Sequence, residues 1–183
     1  MLGRIFKAYD IRGTVPDMLN ETMAWQIGYG ASKYLLADAE SAGDSTPMMK
    51  NIVVGRDMRT HSPALSRALI QGIRDHGGNV IDVGMVDTSF IYFAVNHLDC
   101  AGGIQVTASH NPANYNGFKI SKRKAKPVGE TSGLAEIRKH VGLMPPGPVQ
   151  AAATVAWGDD AHVAAQADRY LERLELHGGA GAA

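Results

Sequence analysis

Apolar residues follow two rhythms along this chain. Short apolar-rich runs, "NIVVG" (51–55), "NVIDVG" (79–84) and "AGGIQVTAS" (101–109), read as strands, the first and third of them buried. A further short run, "GFKIS" (117–121), reads as a fourth strand. Between the first two, "HSPALSRALIQGIRDHGG" places Leu65, Leu69, Ile70 and Ile73 at helical spacing. Ser62 suits its N-cap, Pro63 its first turn and Gly77 its end. "DTSFIYFAVNHL" (87–98) reads as a helix capped by Asp87 or Thr88, and "NETMAWQIGYGASKYLLADAE" (20–40) as a long one with Met23, Ile27, Ala31 and Tyr34 or Leu35 along one face. Thr131 or Ser132 would cap a further helix after "VGETSG".

Strand–helix–strand order with short links points to parallel pairing, because parallel neighbours need a crossover. The expected fold class is α/β: a three-layer α/β/α domain around a mixed, mainly parallel sheet of about four strands. Near residue 143 the composition turns to Pro, Ala and Gly in "LMPPGPVQAAATVAWGDD". The expected organisation is a domain at 1–142, a linker at 143–160, a helix at 161–176 and a disordered tail at 177–183.

Charge narrows the function. The 183 residues carry 18 Lys and Arg against 18 Asp and Glu, which does not suit a nucleic-acid protein. The basic run "KISKRKAK" (119–126) reads as a solvated segment. A single cysteine, Cys100, excludes an internal disulfide, and no stretch approaches a membrane span. The expected setting is the cytoplasm, with neither nucleic acid nor membrane as partner.

Three polar loops leave strand ends: "GRDMRT", "GMVDTS" and "TASHNP". In parallel sheets such loops share one rim, where ligands bind. Ser109 and His110 are adjacent in the third loop. A Ser–His hydrolase would need both groups aimed at each other, and the nucleophile-elbow pattern is absent. A serine that carries a phosphoryl group needs cations instead, and Arg12, Arg56, Arg59 and Lys119 are available. "YDIRG" (9–13) reads as a loop, with Gly13 permitting a sharp turn and Asp10 paired to Arg12; Asp57 would pair with Arg56 or Arg59.

"FKAYDIRG", "VVGRDMRTHSPAL", "GGIQVTASHNPANYNGFKI" and "AKPVGE" together resemble the first domain of the α-D-phosphohexomutases, in the phosphomannomutase/phosphoglucomutase branch. The resemblance covers about residues 5–140. It implies a mutase that interconverts hexose 1- and 6-phosphates through a bisphosphate intermediate. Ser109 would be the phosphorylated residue, with Mg²⁺ bound through its phosphate. His110 and Asn111 would surround it, Lys119 and Arg12 would assist transfer, and Tyr9 would line the entrance. Arg56 and Arg59 would bind phosphate or orient the serine loop.

The family's D-x-D-x-D-R metal loop, its sugar-reading "GEMSGH" loop and its C-terminal phosphate-binding domain have no counterpart in these residues. The expectation is a fragment or truncated frame, inactive alone. Its partners would be a phosphorylated hexose, such as glucose or mannose phosphate, and further domains of the same polypeptide. A homo-oligomer of the isolated domain is a further option. The alternative reading is a non-catalytic binding or assembly module that retains the fold.

Overall fold

The computed structural model describes residues 2–43 and 46–143. The elements run α1 (Leu2–Ile5), β1 (Ile11–Thr14), α2 (Glu21–Ser41), β2 (Asn51–Arg56), α3 (Ser62–Asp75), β3 (Asn79–Met85), α4 (Thr88–Leu98), β4 (Gly102–Val106), β5 (Tyr115–Lys122), β6 (Lys126–Pro127) and α5 (Leu134–Leu143). The sheet has six strands in the order β1-β5-β4-β2-β3, with β6 also on β5. The expected count of about four is therefore corrected. β1 and β6 are too short to show a rhythm of their own, and both are strands because β5 pairs with them.

β2 is parallel to β3 and β4, whereas β5 is antiparallel to β4, β1 and β6. Five strands thus share one direction and β5 alone opposes them. One face of the sheet presents Ile11, Ile52, Val54, Ile104, Val106, Phe118 and Ile120 to the main core. That core is completed by Ile27 and Leu35 of α2, Leu65, Leu69 and Ile73 of α3, and Ile137 and Val141 of α5. The opposite face packs Val53 under Ile91, Ala94 and Val95 of α4, with Cys100 beside them. Helices therefore cover both faces. The aromatic residues Phe90 and Phe93 of α4 remain on the outside, their rings 6.1 Å apart.

Local chemistry sets the helix ends. Asn20 accepts from Met23 N–H to open α2, and Asp87 accepts from Phe90 N–H to open α4. Gly77, at φ +98°, ends the α3 region as expected. Several expectations need correction. Ser62 does not cap α3, because its hydroxyl donates to Asp57 and accepts from Asn116. The Ser132 hydroxyl accepts from Gly129 N–H behind it instead of capping α5, and Gly133 intervenes. Gly13 is a residue of β1 and not a turn: a Cβ there would press on Met18 and Ile5. Leu143, expected to open the linker, closes α5. The rest of the expected linker, the helix at 161–176 and the tail at 177–183 lie outside the described residues.

A polar cluster joins α2, β5 and the turn before α5. Tyr34 donates to the Ser132 carbonyl, and Lys122 donates to Asp38 at 2.7 Å. Burial pushes the Tyr34 pKa up from 10.0, partly offset by Lys122; the Asp38 bond pushes Lys122 up from 10.5. In both groups the folded state holds its proton more tightly than the unfolded chain. This stabilisation is complete below pH 10.0 and is lost as pH rises through the folded values. Thermal midpoints should fall above pH 10, and Tyr34→Phe should flatten part of that fall. An unchanged slope in the variant would exclude Tyr34 as a contributor.

Candidate functional site

The parallel register places Arg56 of β2 beside Met85 of β3 and Val106 of β4. The three polar loops that follow these strands therefore leave one rim. Asp57 N–H donates to the Val106 carbonyl at 3.0 Å, and Val86 N–H donates to the Arg56 carbonyl at 3.0 Å. These bonds lock the strand exits together.

The serine loop is held from below by Asp57 and Arg59. The Arg59 guanidinium donates to the carbonyls of Pro112 (2.7 Å), Tyr115 (3.1 Å), Ser109 (2.9 Å) and Asn111 (2.7 Å). Its Nε donates to Asp57 at 3.1 Å. A guanidinium has five N–H donors, so this set leaves none for a substrate phosphate. Asp57 in turn accepts from Thr107 Oγ1 (2.8 Å), Ser62 Oγ (2.6 Å) and Arg59 N–H (3.1 Å). Thr107 Oγ1 accepts from Ser109 N–H at 2.9 Å. Below this lies Asn116, fully buried, donating to Ser62 at 2.9 Å.

This frame imposes the conformation of Ser109. Its φ is +57°, in the left-handed region, which costs a non-glycine residue about 1 kcal/mol. Ser109 and His110 are both exposed. Asn111 folds back, its N–H and its side-chain amide both donating to the Ala108 carbonyl.

Arg12 and Lys119 stand on the strands β1 and β5. Arg12 lies opposite Gly117 across the β1–β5 ladder, and Lys119 is two residues further along β5. Residues two apart on a strand share a face, so these two cations are diagonal neighbours within reach of long side chains. Gly117 is required here. A Cβ would run into the Ile11 carbonyl and come within 3.1 Å of Arg12 Cγ, where the arginine stem crosses the strand. Arg12 Nε donates to Asp10 at 2.9 Å, the pairing expected from sequence. Arg12 also shares a cleft with Asn111 and Tyr115.

The other expected residues are less closely joined. Tyr9 is 82% exposed, with its ring near the Gly129 turn. Arg56 ends β2, and no hydrogen bond links it to the serine loop through the described residues. Asp57, Thr107, Ser62 and Asn116 were not singled out as site residues from sequence. Asn116 had a readable signal: a polar residue in phase with Phe118 and Ile120 on a strand's buried face.

Among the described residues no group of three or more His, Cys, Asp or Glu could hold a metal ion. Asp57, bonded to the loop, already accepts four hydrogen bonds. The described residues therefore do not by themselves fit a Mg²⁺ site. No helix among them is long and apolar enough to cross a membrane.

The family profile described as "Phosphoglucomutase/phosphomannomutase, alpha/beta/alpha domain I" matches residues 3–142. A protein of Xanthomonas campestris pv. campestris (strain B100) named "Phosphohexose mutases" is 42% identical over 172 residues, 92% of this chain and 34% of its own length. A phosphomannomutase of Salmonella montevideo is 44% identical over 143 residues, 77% of this chain and 29% of its own. The crystal structure of a phosphoglucomutase/phosphomannomutase family protein from Burkholderia thailandensis superposes with a TM-score of 0.62 at 36% identity, over 75% of this chain and 30% of that one. The chain thus spans about a third of the length of these relatives. With the profile match and the α/β/α layers in agreement, the chain belongs to the phosphoglucomutase/phosphomannomutase family and carries its domain I.

Proposed function

We propose that this chain is the phosphoryl-carrying domain of a hexose-phosphate mutase, with Ser109 as the carrier. One observation carries the reading. Arg59 and Asp57 tie down the backbone around Ser109, while the serine itself is exposed at the rim with a left-handed backbone. Phosphoryl transfer depends mainly on positioning and on charge neutralisation, so a rigidly presented hydroxyl is what a carrier requires. In the forward step the Ser109 Oγ–P bond breaks as a P–O bond forms to a sugar hydroxyl, which loses its proton while Ser109 Oγ takes one up and is left as the free hydroxyl. The resulting bisphosphate then returns its other phosphoryl group to Ser109. Arg12 and Lys119 spread the developing charge or assist the proton's departure. Asn111 and His110 flank the carrier, Tyr9 and Arg56 line the approach, and Arg59 holds the loop.

Mg²⁺ enters this reading only as a cation held by a phosphate on Ser109. The substrate class is a phosphorylated hexose. A Ser109–His110 hydrolytic pair finds no support, because no hydrogen bond joins the two side chains among the described residues.

The test is peptide mapping by mass spectrometry of the natural gene product. A phosphoryl group should sit on Ser109, and Ser109→Ala should abolish both it and hexose 1-phosphate to 6-phosphate conversion. An unmodified Ser109 with full mutase activity in the alanine variant would leave a non-catalytic role for this loop. The 183-residue chain alone should not convert glucose 1-phosphate.

A further inference from the structure

A cleft of about 600 Å³ opens at the β1 edge of the sheet, beside the serine loop. Its lining includes Arg4, Lys7, Arg12, Met18, Asn111 and Tyr115. Three cations therefore meet in one concavity. Asp10 is the carboxylate paired within this set, and it is engaged by Arg12 Nε. The side chains of Arg4 and Lys7 form no ion pair among the described residues, and the two terminal nitrogens of Arg12 remain available. Glu130 borders a narrower neighbouring cleft on the far side of Lys7 without pairing to it. Uncompensated like charges repel one another and favour an anion between them. Planar guanidinium groups with free donors match phosphate oxygens in pairs, and an ammonium adds a point charge.

We propose that Arg4 and Lys7, together with Arg12, form a phosphate-anion site in this cleft, distinct from the serine hydroxyl. Its ligand is the phosphate group of a free phosphate ion or of a phosphorylated sugar. Ser109 does not line the cleft, so this site does not depend on Ser109 carrying a phosphoryl group.

The test is an amide-resolved NMR titration of the 183-residue chain at constant ionic strength. Inorganic phosphate and glucose 6-phosphate are the two ligand arms, and glucose is the neutral control. Saturable shifts are expected at Arg4, Lys7, Arg12, Asn111 and Tyr115. Saturation with the sugar phosphate alone would identify it as the source, and saturation with both would show that the phosphate group suffices. The double variant Arg4→Gln/Lys7→Gln should bind at least about tenfold more weakly. Both residues lie in the short N-terminal segment, and unshifted signals from α2, α3 and β2 would confirm an intact fold. Ser109→Ala should titrate like the parent chain. Shifts that grow without saturating in both arms, a double variant that binds like the parent, or loss of binding in Ser109→Ala would each overturn the proposal.

Discussion

Arg59→Ala is expected to destabilise the domain by about 3 kcal/mol and to loosen the serine loop. The variant removes four bonds to loop carbonyls and the bond to Asp57. The Arg59 and Asp57 side chains are only 13% and 15% exposed, so water replaces the lost partners poorly. Asp57 would keep Thr107 and Ser62 but lose its neutralising charge. Urea unfolding reads the stability change. Hydrogen exchange should accelerate at Asn111 and Tyr115, whose amides donate to Ala108 and Pro112 inside the loop. Arg59→Lys should recover only a fraction, because an ammonium cannot span four carbonyls and a carboxylate. A lysine variant with parental stability and exchange would show that charge alone, and not the guanidinium fork, holds the loop.

Gly72→Ala is expected to cost about 2–3 kcal/mol, even though alanine is the better helix former. α2 and α3 cross through two glycines. A Cβ on Gly72 would run into the Trp25 carbonyl oxygen, and one on Gly28 would run into the Leu69 carbonyl oxygen. Each helix therefore accepts the other's backbone. Because the obstacle is backbone, no rotamer change can relieve it, and the helices must separate. Separation thins the contacts of Leu65, Leu69 and Ile73 with the sheet. The unfolding midpoint in urea should fall; a midpoint at or above the parent's would show that the crossing is looser than this geometry implies. Gly28→Ala should behave alike, and the two together should not add, since either one already forces the helices apart.

The readable part of this fold was the part with local rhythm. β2, β3 and β4 are short apolar-rich runs, and α3 and α4 repeat at helical spacing, so each announces itself. β1 does not. Its four residues, Ile-Arg-Gly-Thr, are a strand because Ile11, Arg12, Gly13 and Thr14 pair with Phe118 back to Tyr115, a partnership about a hundred positions away. The same pairing extends β5 back to Tyr115 and Asn116, which in sequence resemble the end of a polar loop. Ser62 shows a related limit. Beside Pro63 it has every local mark of a cap, but Asp57 and Asn116 bind its hydroxyl more directly. At the candidate site, the polar turn that carries Ser109 was legible as the exit of a strand. That Arg59 could orient the loop came from the family resemblance, but its four carbonyl partners could not be read, because they lie 50 to 56 residues away in sequence.

That separation has a consequence for how the loop could be copied or detected. A synthetic peptide of residues 107–119 contains every letter of the serine loop and none of Asp57, Arg59 or Ser62. Free in solution, Ser109 would leave its left-handed backbone for the ordinary extended and right-handed conformations. An antibody raised against such a peptide would meet its target in the denatured chain and not in the folded one. As an antigen, the loop is a conformational epitope whose shape is written mostly at the end of β2.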